Sequence, residues 1–434
     1  MTITQQEVLR FVEENDVKFI RLAFCDLYGR LKNISIQPGE LDRAFEGGIP
    51  FDAAAVRGFS DVVSGDLHLR PDPSTLSVLP WRPQSGRVIR LFCDLAYPDG
   101  SPYESYGRAI LRKTVQKAAS LGYAMHVAAK CEFYLFEADE KGRITTTPQD
   151  DAGYLDVAPY DKGENVRREI CLALEAMHIQ PESSHHEQGP GQNEIDFRHA
   201  DALTAADQLV AFKDVVRSIA AQNGLRASFM PKPLADKSGN SQHVNLFLYK
   251  DGENIFHRPG SDLGEEARHA VGGILRRVRE ISLFCNPLPN SYERLGVHGA
   301  PAFLSWSYGN RSHLVRIPAT NGQDARMELR SPDPATNPYL LFALLLEAAL
   351  EGIQAKMEPG SALAGAIDRN HPSPDLVRLP ESLGEALTLA MESEFLKGVL
   401  PWQTLSAYIK EKERVWQQFQ SDPKQVFQRH FETI

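Results

Sequence analysis

Residues 123–137 read as one long β-strand, entered from a helical pattern that Gly122 stops. From Ala128 the strand runs Ala-Ala-Lys-Cys-Glu-Phe-Tyr-Leu-Phe-Glu, apolar and aromatic after its midpoint. Strand side chains alternate between faces, so Lys130 and Glu132 point the same way. Around this strand the chain alternates in character. Helical spacing is expected over 4–15, 109–121, 165–178, 203–223, 264–283, 338–353 and through the tail from Leu383. Strands are expected at 17–26, 76–79, 88–95, 191–197, 242–249 and 324–330. The turn Asp99-Gly100-Ser101-Pro102 marks a boundary, giving a small β-rich domain over 1–103 and a large α+β domain over 104–434.

The 434 residues are 42% hydrophobic and 24% charged, enough to bury a sizeable core. A net charge of −10 speaks against nucleic acid or an anionic membrane as partner. The apolar run near Leu340–Leu350 is broken by Glu347 and too short to span a bilayer. Cys25, Cys93, Cys131, Cys171 and Cys285 form no CxxC pair. With no signal-peptide pattern, they are expected to be reduced thiols in a cytoplasm.

Candidate chemistry gathers in two places. Ser-His-His-Glu-Gln-Gly-Pro-Gly-Gln-Asn-Glu-Ile-Asp-Phe (184–197) sets histidines and acids around a Gly-Pro-Gly turn that lets Glu187 and Glu194 converge. Carboxylates with imidazole suit Mg²⁺ or Mn²⁺; a polar surface loop is the alternative. In Arg326-Met327-Glu328-Leu329-Arg330, a strand would place Arg326, Glu328 and Arg330 on one face. That row suits anions plus a cation, or else a salt-bridge ladder. Arg294, Arg311 and Arg316 add cations that favour anionic small substrates, and His243 taken alone is structural. The chain lacks a Walker P-loop and a dinucleotide glycine fingerprint.

At these residues the sequence resembles the glutamine synthetase family, bacterial type I class, across essentially the whole chain. The resemblance rests on Gly-Glu-Asn-Val-Arg-Arg-Glu-Ile (163–170), Ser-His-His-Glu (184–187), Gly-Gln-Asn-Glu-Ile-Asp-Phe (191–197) and Phe-Met-Pro-Lys-Pro (229–233). It extends through Asn-Arg-Ser-His-Leu-Val-Arg-Ile-Pro (310–318) and Arg-Ser-Pro-Asp-Pro-Ala-Thr-Asn-Pro-Tyr-Leu (330–340). It implies an N-terminal β-grasp domain and a catalytic domain with a curved antiparallel sheet and packed helices. The implied activity is an ATP-dependent ligase: ATP phosphorylates the glutamate side-chain carboxylate, and ammonia or another amine attacks the acyl phosphate. Mg²⁺ or Mn²⁺ would neutralise the phosphates. The implied assembly is a homo-oligomer, a dodecamer of two stacked six-membered rings, in which one subunit's N-terminal domain completes its neighbour's site.

Carried over residue by residue, the resemblance implies metal ligands at Glu132, Glu187 and Glu194, and at His243 and Glu328 for a second ion. It implies glutamate contacts at Gly239, Arg294, Arg311 and Arg330, nucleotide contacts at Arg316 and Arg326, and catalytic roles for Asp52 and Arg311. Asp52 and Asp66 match acids at the neighbour's amine pocket. The chain departs from the family at Lys130, where an acid that ligates the second ion is usual, and at Gly299, where a flap glutamate is usual. Phe247 replaces a serine near the nucleotide, Ser241-Gln242 a Gly-Met pair, and Ala53-Ala54-Ala55 a more polar latch. Three readings follow: a ligase with weak or altered activity, a non-catalytic paralogue that binds glutamate or metal in a regulatory role, and a guanidino phosphotransferase. The β-grasp match and the glutamate-matching arginines argue against the last.

Overall fold

The computed structural model describes residues 3–59, 65–258, 262–320, 322–367 and 373–434. It begins with a 6-stranded sheet. Arg87–Ala96 lies at its centre, parallel to Val17–Cys25, which in turn pairs antiparallel with Leu31–Ile36. Asp66–Pro71 and Ile49–Asp52 continue the sheet beyond Arg87–Ala96. The helix Gln5–Glu14 starts at a reciprocal cap between Thr4 and Glu7 and buries Val8 and Val12 in the core behind this sheet. This is the β-grasp arrangement.

The larger domain is built on an 11-stranded sheet whose middle strand is Tyr123–Ala138. Gln242–Lys250 and Gln192–Phe197 pair with it on opposite edges, both antiparallel. Met327–Leu329 and Val315–Ile317 follow on one side and Pro181–His186 on the other. Trp306–Tyr308 joins last, parallel to Val315–Ile317. One sheet face, with Cys131, Phe133, Val244 and Leu246, packs into the main core with the helix Ala202–Gln222. The other face carries the polar residues of the site. Behind the core, the helices Glu265–Cys285 and Pro338–Gln354 cross almost backbone to backbone. A Cβ on Gly273 would lie 2.0 Å from the Ala348 carbonyl oxygen, so only glycine permits the approach.

A buried ion cluster joins the two domains. Arg108, on the helix Gly107–Ser120, contacts Asp72 and Asp94 of the first domain at 2.8 Å each and Asp207 of the second at 2.9 Å. Nearby, Asn337 Nδ2 donates to the Leu27 carbonyl, and Tyr28 stacks on Tyr408.

Two expectations need correction. The strand expected over 324–330 pairs only across Met327–Leu329, so Arg326 and Arg330 flank it. The segment 76–79 contributes only Ser77–Val78. Pro181–His186, a strand the sequence did not announce, has no apolar alternation because it is mostly solvated. Among the described residues, no helix is long and apolar enough to cross a membrane.

Candidate active site

A cavity of about 460 Å³ opens over the polar face of the large sheet. Strand register explains how it is built. Glu194 sits opposite Glu132, Asp196 opposite Lys130, and Lys130 also opposite His243. One step further, Asn245 pairs with Glu328 and Glu328 with Arg316. Antiparallel pairing thus sets acids, a lysine, a histidine and an arginine side by side on one surface.

Glu132, Glu187 and Glu194 all line the cavity, Glu132 opposite Glu194 in register. Glu132 is buried and accepts from the Ser241 amide at 2.8 Å and from Gln192 Nε2 at 3.1 Å. Burial, then the charges of Glu187 and Glu194, raise its carboxyl well above the ordinary value. Burial and Asp196 push Glu194 up to about 7. Carboxylates that oppose each other's ionisation in this way call for a cation. His185, one of the two histidines that the sequence sets beside these acids, joins them. Its Nε2 lies 3.0 Å from Glu187 and 3.8 Å from Glu194, and the three present converging donor atoms. This oxygen-rich set with one imidazole fits Mg²⁺ or Mn²⁺.

The neighbouring position differs. Lys130 Nζ lies 2.5 Å from Asp196 and 3.2 Å from Glu194. Burial works against its charge, but these two acids outweigh burial and raise its pKa, so it stands as an ammonium. Glu328 is already engaged: Arg316 binds one oxygen at 2.8 Å, and Arg330 the other at 3.0 Å. His243 Nδ1 lies 3.3 Å from that second oxygen, its pKa well below the ordinary value because of burial and then Arg330 and Lys130. A fixed ammonium and a doubly paired carboxylate do not fit a second divalent ion.

Of the other residues singled out, Gly239, Arg311, Arg316 and Arg330 line the cavity. Gly239 has no room for a side chain, since a Cβ would lie 2.6 Å from Arg294 Cγ. Arg294 does not line the cavity. It is 1% exposed and donates to Ser241 Oγ and to the Ser331 and Pro332 carbonyls. Arg326 stands outside as well, held by Asn245 Oδ1 at 3.0 Å with its guanidinium over the Phe247 ring. Phe247 is buried and packs on His199 at 4.4 Å between ring centres. Asp52 and Asp66 pair in register at an exposed end of the small sheet, away from the cavity lining. Gly299 lines the cavity at φ +86° with open space where a side chain would stand, and His298 beside it lines the cavity too.

A second cluster, Asp150, Asp161 and His186, is occupied internally. Asp161 holds Arg167, while Asp150 and the Glu187 carbonyl hold the two ring nitrogens of His186. It braces the loop that carries Glu187.

A two-domain α+β frame with converging carboxylates beside arginines defines a cleft for a cation together with anionic ligands. The family pattern for the glutamine synthetase catalytic domain matches residues 104–430, and that for the glutamine synthetase beta-Grasp domain matches 16–98. The chain belongs to the glutamine synthetase family. It is 43% identical to a glutamine synthetase of Clostridium saccharobutylicum, with 96% of each chain covered. It is 44% identical to one of Methanosarcina mazei, over 96% of this chain and 95% of that one. Among solved structures, GmaS in complex with ADP is similar at 31% identity and a TM-score of 0.88, with 97% of both chains covered. Plasmodium falciparum glutamine synthetase shares the fold, with a TM-score of 0.86 over 96% of each chain.

Proposed function

We propose that this chain is an ATP-dependent carboxylate–amine ligase that joins the glutamate side-chain carboxylate to an amine, with ammonia a poor partner. The observation that carries the reading is one cavity lined by Glu132, Glu187 and Glu194 together with Arg311, Arg316 and Arg330. Relatives named glutamine synthetase at 43% and 44% identity support it.

In this reading the γ-phosphoryl group of ATP passes to the glutamate carboxylate. The amine nitrogen then attacks the acyl carbon, phosphate leaves, and a proton is lost from nitrogen. Arg311 and Arg330 orient carboxylates and Arg316 neutralises phosphate charge, while Arg326, held on Asn245 and over Phe247 outside the cavity lining, takes no part in this arrangement. Glu132, Glu187 and Glu194, with His185, would hold Mg²⁺ or Mn²⁺, which supplies electrostatic stabilisation of phosphoryl oxygens when bound. No role is assigned to a second ion at His243 and Glu328, because Lys130 and the arginines already meet the charge there. Arg294 acts from behind, as the brace that presses Gly239 into the cavity wall. Asp52 and Asp66 would reach the amine pocket of a neighbouring subunit in a dodecamer.

Gly299 offers no base for deprotonating ammonium, and loss of a general base costs on the order of 10²–10⁴-fold in rate. Phosphate release from ATP with glutamate, with and without a panel of amines, tests the reading. We expect weak stimulation by ammonia and stronger stimulation by a larger amine. Gly299→Glu should restore ammonia turnover only in part, since the left-handed backbone at φ +86° strains any side chain there. Glutamine formation at the rate of an intact relative would refute the altered specificity. Glutamate binding without turnover on any amine would favour the alternative, a non-catalytic regulatory paralogue, for which the pairing of Lys130 with Asp196 and Glu194 already speaks.

A further inference from the structure

A second cavity, of about 310 Å³, lies where residues 28–32 of the β-grasp domain meet the helices Ala202–Gln222 and Trp402–Ser421. Arg30, Lys32, Arg57, Lys213, Arg217 and Lys412 line it, and the anionic groups of the lining are Asp214, Glu411 and the Ile434 carboxylate, to which Arg217 donates. In a chain of net charge −10, so many cations around one cavity call for a cause.

The acids present do not balance them. Glu411 is already paired with Arg57 and with Arg414. Lys412 is 5% exposed, and its ammonium stands over the rings of Tyr408 at 5.0 Å and Tyr28 at 5.6 Å. Ring faces attract a cation but leave its N–H donors without oxygen acceptors. Lys213, 8% exposed, spends one donor on the Pro334 carbonyl at 2.6 Å. Arg217 gives one to the Ile434 main-chain oxygen, and Arg30 gives one to Thr433 Oγ1. Burial pushes Lys412 down to about 7, against the pull of Glu411, and Lys213 down to about 8, with Arg217 adding to the effect. A buried cation without a partner is costly, whereas an oxyanion between guanidinium and ammonium groups relieves the cost.

We propose that this cavity binds a small, multiply charged oxyanion, phosphate or a compact polycarboxylate, which bridges the β-grasp domain and the catalytic domain through Arg30, Arg217 and Lys412. The site is separate from the ligase reading and stands without it. It also has a path to the active site. Lys213 holds Pro334, and the neighbouring Pro332 carbonyl accepts from Arg294 and from the Gln242 amide.

The test is calorimetry and thermal unfolding on the full-length, assembled protein without nucleotide or added metal. Inorganic phosphate is titrated in one arm and citrate in another, against chloride at matched ionic strength. Saturable binding with a rise in Tm is expected in at least one arm, and the arm that saturates names the class. Lys412→Met removes a buried charge, so it should fold at least as well as the parent while losing binding about tenfold or more. Arg30→Gln, on the cavity wall, should lose it as well, and Lys412→Arg should retain it. Arg311→Ala, in the other cavity, should leave binding intact. If neither anion binds better than chloride, the proposal fails; this would also be the outcome if a neighbouring subunit supplied the anion. It fails equally if binding survives both Lys412→Met and Arg30→Gln, or disappears with Arg311→Ala.

Discussion

Lys130 Nζ reaches Asp196 at 2.5 Å and Glu194 at 3.2 Å, so its ammonium satisfies acids that would otherwise draw a dissolved ion. Lys130→Glu should therefore do two things. Without metal the variant should lose about 1–3 kcal/mol of stability, because charge is left unpaired on a largely buried surface. With Mn²⁺ that loss should disappear, and calorimetry should count one more bound ion than in the parent. If the parent already binds two ions per subunit at ordinary Mg²⁺ concentrations, the reading of Lys130 is wrong. That Lys130 and Glu132 share a face was legible from strand alternation alone. That Asp196 answers Lys130 was not, since the pairing depends on register with a strand 66 residues away. Arg294 misled for a similar reason. The sequence displays its charge, while its use on the Ser331 and Pro332 carbonyls depends on a loop path that no periodicity reports.

At the level of elements, apolar strands and amphipathic helices were readable because each pattern must match the face it buries. Pro181–His186 was not, since its hydrogen bonds rather than its side chains make it a strand. The contact between domains was equally hidden: Arg108 looks like any helix arginine until Asp72, Asp94 and Asp207 surround it. Arg108→Met should leave three carboxylates facing one another and lower stability by about 3–5 kcal/mol, measured by denaturant unfolding. Acid unfolding gives a second measure. Burial acts to raise the Asp72 carboxyl, but Ser74 and Arg108 overcome it and hold the group below its usual value. Its contribution is thus complete above the unfolded value of about 3.9 and disappears as pH falls through the lower folded one. The Arg108→Met variant should unfold at a higher pH than the parent. Coincident acid transitions would show that the cluster does not hold the domains together.

The whole molecule leaves features that a lone chain does not use. Asp52 and Asp66 face outward, and Tyr154, Leu155, Val157 and Tyr160 expose large apolar side chains within one short stretch, with Tyr154 on the cavity wall. Exposed apolar groups concentrated in this way mark association surfaces. A homo-oligomer is expected, with mass photometry reporting a dodecamer of 48.4 kDa chains. A stable monomer at micromolar concentration would remove both the assembly and the shared site. The overall architecture was legible through its family motifs, whereas the cationic cavity at the domain junction was not. Its lining comes from segments as distant as Arg30 and Lys412, and no local pattern connects them.

A dissolved cation leaves its site when its supply falls, and occupancy follows mass action. The Lys130 ammonium is anchored to the chain, at an effective concentration that neither dilution nor a chelator can lower. Part of the positive charge on this sheet face is therefore hereditary rather than collected from the medium. Where two captured ions would make the response to free magnesium steepen toward second order, one captured ion beside a tethered ammonium would make it first order. Such a protein would trade the sharpness of a switch for constancy when divalent ions are scarce.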